Sequence, residues 1–298
     1  MFWVLLSKPA GSPVIEHCVP TALELHDCKT MPDLPNTNTL ETDVQHAWLT
    51  IWLNRIESRN ALNEQMTTEL RNILELVRDD RSVRGITLRG RGGVFCAGGD
   101  LKAFRSDFQG GDRSKELVAA ASRSAGELFR LVNEMPQVVV ILVEGAAIAG
   151  GLGLACAGDL VVVTRESRFA LTETTLGIAP AQIAPFVVQR VGLSVARRLM
   201  LTAARFDGEQ AQCIGLADQV VDGVDALDEA EQKIRTQVMR CAPGANAITK
   251  ELVLATARLE PQAMLDLAAE RFAEGMLSSE GREGISAFIE KRKPSWSV

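Results

Sequence analysis

The chain has 298 residues with a formal net charge of -6, 46% hydrophobic and 23% charged residues, enough apolar material for the core of one large domain or two ordinary ones. The acidic balance argues against nucleic acid or an anionic membrane as partner and favours a small-molecule substrate. Six cysteines, at positions 18, 28, 96, 156, 213 and 241, form no CxxC pair and no dense framework, the usage expected in a reducing cytoplasm.

Residues 1–40 mix Pro, Thr and Asn with scattered apolar residues and hold no period, so they read as a tail outside the core. Met31 would itself serve as a start, which makes residues 1–30 a candidate upstream extension. No apolar run approaches the roughly 18 to 20 residues of a membrane span, and the first residues lack a basic leader, so neither membrane insertion nor export is expected. The three histidines all lie early, at His17, His26 and His46, and there is no tyrosine. The rest of the chain therefore lacks imidazole triads, HExxH zinc sites and tyrosine acids. No metal site is expected, and carboxylates and backbone amides remain to carry chemistry.

From Trp48 an alternating strand, WLTIWLN, precedes a helix in which Leu62, Met66, Leu70, Ile73, Leu74 and Val77 recur at spacings of three or four. A strand follows at 85–89, then a glycine-rich turn at 90–99 leading to Asp100 and a helix. A longer helix ends near Met135, and 138–143 is a buried strand. The order repeats: residues 145–158 suit a tightly packed helix entered through a glycine turn, and 160–163 is again a strand. Strands alternating with helices give an α/β class with its core at 41–225. From about Ala226 to residue 298 the chain reads as helices punctuated by Pro243, Pro261 and Pro294.

Two turns, VFCAGGDLK at 94–102 and GAAIAGGLGLA at 145–155, each follow an apolar strand and enter a helix. Helix N-termini leave N–H groups unpaired, so either turn could cradle an anion or a developing oxyanion, and two could face one atom. Neither has the GK[ST] of a Walker loop, and Gly151 and Gly153 are followed by Cys156 where a dinucleotide fingerprint requires Gly or Ala. No nucleotide cofactor is expected.

The set RNALN (59–63), GGVFCAGGDLK (92–102), GAAIAGGLGLA (145–155), FALTETTLGIAPA (169–181) and FIEKRKPSW (288–296), in this order and spacing, resembles the enoyl-CoA hydratase/isomerase, or crotonase, superfamily over about residues 40–298. The resemblance implies a spiral of ββα units, a C-terminal helical region that builds a homotrimer or a dimer of trimers, and an acyl-CoA thioester as substrate. It requires no separate cofactor, since coenzyme A belongs to the substrate. It also implies that the thioester carbonyl sits between the backbone N–H groups of Gly99 and Gly150, donors that stabilise enolate-like charge.

Family hydratases use two glutamates around one water. Glu173 in FALTETTLG matches the second, whereas the position of the first is Gly153. Burial should raise the Glu173 pKa toward the range of a general acid or base. One carboxylate can take a proton from water and return it to C2.

The run ETTLGIAPAQIAPFVVQRVG (173–192), with Gly153, is similar to hydratases of branched glutaconyl-CoA thioesters, isohexenylglutaconyl-CoA of acyclic terpene breakdown first and 3-methylglutaconyl-CoA of leucine breakdown second. The free carboxylate of such a substrate could assist the proton transfer. Gln182 or Arg190 could bind it, although Arg190 also fits a surface ion pair. The resemblance assigns Arg59, Asn60, Ala61, Ala97, Asp100, Leu101, Lys102 and Gly151 to the CoA and thioester site, and Lys291 to a CoA phosphate of a neighbouring subunit. Plainer readings stand beside these: Asn60 or Asn63 as a helix N-cap, Asp100 as another, and Lys102 and Lys291 as solvated bases. Within the family an isomerase or thioester hydrolase, and outside catalysis a CoA- or RNA-binding scaffold, remain alternatives.

Overall fold

The computed structural model describes residues 33–108 and 114–297, without the side chains of 106–108. The expectations for residues 1–32, a tail and an alternative start at Met31, lie outside the described residues. In chain order the elements are β1 (Leu40–Gln45), β2 (Trp48–Leu53), α1 (Glu64–Val77), β3 (Gly85–Gly90), α2 (Leu101–Phe108), α3 (Lys115–Asn133), β4 (Val138–Val143), β5 (Ala146–Ile148), α4 (Gly150–Ala157), β6 (Leu160–Thr164), β7 (Arg168–Ala170), α5 (Ala184–Thr202), β8 (Arg205–Asp207), α6 (Gly208–Cys213) and β9 (Gln219–Val221). Four helices close the chain: α7 (Val224–Val238), α8 (Pro243–Ala255), α9 (Pro261–Leu277) and α10 (Ser279–Ile289).

The main sheet has the order β1-β2-β3-β4-β6-β9 and a small sheet the order β5-β7-β8. In the main sheet only the β1–β2 pair is antiparallel; β2, β3, β4, β6 and β9 run parallel. Both faces of the central strands β4 and β6 are buried, which is why their sequences, VVVILV and LVVVT, run almost entirely apolar. Val139, Ile141 and Val143 point into the larger core, while Val140 and Leu142 meet Leu227, Ala230 and Ile234 of α7 on the other face. In α1 the side chains of Met66, Leu70, Ile73, Leu74 and Val77 are buried at the predicted spacing, each burial contributing on the order of 2 kcal/mol.

The successive units β4-β5-α4 and β6-β7-α5 each place one strand in the main sheet and the next in the small one, the expected ββα spiral in an α/β fold. Two expectations shift. Ordered chain begins before residue 41: Thr39 and Leu40 are 5% exposed, and the Glu69 carboxylate accepts from the Thr39 N–H at 2.9 Å. Beyond β9 every described element is a helix, α8 and α9 open on Pro243 and Pro261, and the helical stretch starts at Val224 rather than Ala226. Among the described residues no helix is long and apolar enough to cross a membrane.

Candidate active site

The two glycine turns leave the same edge of neighbouring parallel strands, one after β3 and one after β4. Such carboxyl ends are where open α/β sheets hold ligands. Parallel pairing then draws the turns together. Cys96 N–H donates to the Ala146 carbonyl at 2.9 Å and Ile148 N–H to the Cys96 carbonyl at 3.0 Å. On its other side the first turn is joined to residues 59–62: Ala97 N–H donates to Arg59 O at 3.0 Å, Leu62 N–H to Gly98 O at 2.7 Å, and Asp100 N–H to Leu62 O at 2.9 Å.

This arrangement brings the Gly99 and Gly150 amides to one place. A Cβ built on Gly98 would lie 3.6 Å from the Gly150 nitrogen, and one built on Gly150 would lie 3.7 Å from the Gly99 nitrogen. Gly98 has φ +97°, a left-handed backbone suited to glycine, and a side chain there would strike the Ile148 carbonyl at 2.9 Å. Gly150 is the first residue of α4, so its N–H has no intrahelical acceptor. The Gly99 N–H makes no backbone hydrogen bond among the described residues. Ala149, just before Gly150, holds φ 50°, ψ -120°, a conformation that costs a non-glycine residue on the order of 1–3 kcal/mol. It is fixed by Ala149 N–H to Ala170 O at 2.8 Å and Gly153 N–H to Ala149 O at 3.0 Å. Backbone held this firmly beside two N–H groups without a backbone acceptor can receive a single carbonyl oxygen.

Glu173 follows β7 in a 3-10 turn, Glu173–Leu176. The side chain is half-buried and its Oε2 has no hydrogen-bond partner among the described residues. Burial pushes its pKa above the ordinary glutamate value, against a smaller opposing pull from its own backbone N–H. A desolvated carboxylate with a free oxygen is a proton acceptor of raised basicity.

The other sequence-assigned residues divide into those that meet the thioester end and those that do not. Asn60 is fully buried; its side-chain oxygen accepts from Arg55 N–H at 2.9 Å, and its amide donates to Arg91 O at 2.9 Å and Val94 O at 2.7 Å. It braces the turn, and the cap of α1 is Asn63, which accepts from Met66 N–H at 2.9 Å. Arg59 is exposed with φ 52°, and Ala61 is buried. Asp100 caps α2, accepting from Lys102 and Ala103 N–H at 3.2 Å each, and pairs with Arg55 at 3.0 Å. Burial works to raise its pKa, but the Ala103 N–H, the Arg55 guanidinium and the Lys102 N–H together hold it below the ordinary value. Leu101 and Lys102 are exposed on the first turn of α2. Gly151 serves close packing: a Cβ would sit 2.4 Å from Cys96 O. Lys291 is exposed past the end of α10, away from the two glycine turns in sequence, with φ 55°.

Neither candidate for the substrate carboxylate is free. Gln182 donates to Ser122 Oγ at 3.1 Å and packs against Gly126 on α3. Arg190 donates to Leu216 O at 2.9 Å, to Asp159 O at 3.0 Å and to the Asp218 carboxylate. It lines a cavity of about 550 Å³ with Cys156, Gly158, Asp159 and Lys250, at the far end of α4, about 12 Å along the helix from Gly150. Arg55, Ala149, Phe104 and Ile183 were not singled out from sequence. The Phe104 ring lies against Gly99, 2.6 Å from a built Cβ, and an aromatic four residues after an N-cap is the signal that could have marked it. Among the described residues no cluster of three His, Cys, Asp or Glu suits a metal ion.

Paired glycine turns on a ββα spiral define the crotonase class of α/β enzyme. The chain belongs to the enoyl-CoA hydratase/isomerase family, whose profile matches residues 43–298; such enzymes act on acyl-CoA thioesters. The solved structure of Pseudomonas aeruginosa AtuE is similar at 48% identity and a TM-score of 0.84, covering 88% of this chain and 100% of that one. Two Escherichia coli proteins are also similar. The 1,2-epoxyphenylacetyl-CoA isomerase is 32% identical, covering 85% of this chain and 96% of its own. The 2,3-dehydroadipyl-CoA hydratase is 30% identical with the same coverage, 85% and 96%.

Proposed function

We propose that the protein is a hydro-lyase that adds water across the 2,3 double bond of a branched enoyl-CoA, with isohexenylglutaconyl-CoA as first candidate and 3-methylglutaconyl-CoA as second. The observation that carries this reading is the pairing of two convergent free amides, Gly99 and Gly150, with one desolvated carboxylate, Glu173. Glu173 takes a proton from water as the oxygen bonds to C3. The π electrons move onto C2 and the thioester carbonyl, whose oxygen is held by the two N–H groups, and Glu173 returns the proton to C2. Donors of this kind contribute on the order of 3–4 kcal/mol to the transition state. The segment 173–192 and Gly153 support a glutaconyl thioester, whose own carboxylate can orient the water that a second glutamate would otherwise hold.

A second reading has one observation in its favour: with a single carboxylate, Glu173, the site also fits a double-bond isomerase, in which one base moves a proton between two carbons. Hydration of crotonyl-CoA, 3-methylglutaconyl-CoA and isohexenylglutaconyl-CoA, followed by absorbance and product mass, separates the two. A gain of one water on a glutaconyl thioester supports hydration; product of unchanged mass supports isomerisation.

We read the assembly as a homotrimer or a dimer of trimers. Apolar side chains stand exposed on the closing helices, with Leu265 at 65%, Phe272 at 70% and Phe288 at 84%, a surface suited to other subunits. The described cysteines are free thiols, which suits a cytoplasmic location. Light scattering of the purified protein tests the stoichiometry.

A further inference from the structure

Gly153 lies three residues beyond Gly150 on α4, so the two share a helix face and stand about one turn apart. The space a side chain at 153 would enter is occupied. A Cβ built there would lie 2.1 Å from Ile183 Cγ2 and 2.5 Å from Ile183 Cβ, far inside van der Waals contact. Ile183 is 4% exposed at the entry to α5. Its neighbours are held: Gln182 is bonded to Ser122, and Val187, one turn on, is fully buried. At 4% exposure the isoleucine is packed among core side chains, so it can yield to a side chain at 153 only by displacing its neighbours.

We infer that Ile183 is a specificity-determining residue, which closes the α4 side of the site with hydrocarbon and leaves the reaction dependent on a carboxylate carried by the substrate. The inference rests on the hydratase reading. Hydration requires a water to be both deprotonated and aimed at C3. Glu173 supplies the base, and Ile183 stands where a second polar group could enter from α4. A thioester that brings its own carboxylate fills that need, whereas a plain enoyl thioester such as crotonyl-CoA does not.

The test transposes the pair. Gly153→Glu alone overpacks α4 and lowers the melting temperature; combined with Ile183→Gly, which removes the clashing atoms, it regains stability. The double variant raises the ratio of crotonyl-CoA to 3-methylglutaconyl-CoA hydration at least tenfold over wild type. A folded double variant with an unchanged ratio overturns the inference. In case the buried glutamate prevents folding, Gly153→Ala reads the contact directly: its melting temperature falls, and the loss in Gly153→Ala/Ile183→Gly is smaller than the sum of the single losses. An unchanged melting temperature in Gly153→Ala overturns it too. If wild type hydrates none of the thioesters, the hydratase reading has failed, while the melting data still decide whether Ile183 fills the site.

Discussion

The N–H of Ala149 donates to the carbonyl of Ala170 at 2.8 Å, tying the residue before Gly150 to the strand that ends three residues before Glu173. This bond continues the parallel pairing of β5 with β7 and fixes the start of α4 relative to the segment that leads to Glu173. Preorganisation of this kind is where such sites gain most of their rate, because donors need not reorient as charge develops.

The second donor can be perturbed without disturbing the fold. A Cβ on Gly150 meets only Leu62 Cδ1 at 3.6 Å and Gly99 N at 3.7 Å, both ordinary contacts. Gly150→Ala should melt like wild type, while the methyl group crowds the space between the two amides and lowers kcat by about 100-fold. Thermal denaturation and steady-state kinetics on the same sample check both halves.

Glu173 has a pKa raised by burial above the ordinary 4.5, so the folded protein holds that proton more tightly than the unfolded chain. Its stabilising contribution is complete below 4.5 and is lost as pH rises through the folded value. Above that folded value wild type carries a desolvated charge, so Glu173→Gln should melt higher than wild type on the alkaline side, with the gap closing as pH falls toward the ordinary glutamate range. Melting curves across that range give the sign.

Asn60 holds three hydrogen bonds across the turn that carries Gly98 and Gly99. Asn60→Ala should cost about 3 kcal/mol of stability, since buried groups at Arg55, Arg91 and Val94 lose their partner. Chemical denaturation measures the loss. A change well below 1 kcal/mol would mean that the turn is braced elsewhere.

At the other end of α4, Lys250 pairs with Asp159 and donates to Gln137 O at 2.6 Å. Burial pulls the lysine pKa down and pushes the aspartate up, while each charge steadies the other. Lys250→Met should destabilise by about 3–5 kcal/mol by leaving Asp159 unpaired, and Asp159→Asn in the same chain should recover much of it. Activity per folded molecule should change little, because this pair lies far from Gly150.

Strands β4 and β6 were legible in sequence because both of their faces are buried and their residues run apolar without a break. Strand β1 was not: in LETDVQ only Leu40 is fully buried, and a strand at the edge of a sheet carries a weak pattern. Strands β5, β7, β8 and β9 have three residues each, too few to show a period. At the site, Gly99, Gly150 and Glu173 could be named from motifs because backbone donors and a lone carboxylate leave a local trace. Gln182 and Arg190 could not be placed, since Ser122 and Leu216, which hold them, are distant in sequence. Ile183 against Gly153 was invisible for the same reason: only folding brings α4 under the start of α5.

Turnover of the Glu173→Gln variant on 3-methylglutaconyl-CoA or isohexenylglutaconyl-CoA, whichever wild type hydrates faster, tests the one-carboxylate account most directly. Glutamine keeps the shape and removes the base, so kcat should fall by about 1,000-fold with KM little changed. A folded variant that turns over at close to the wild-type rate would contradict it.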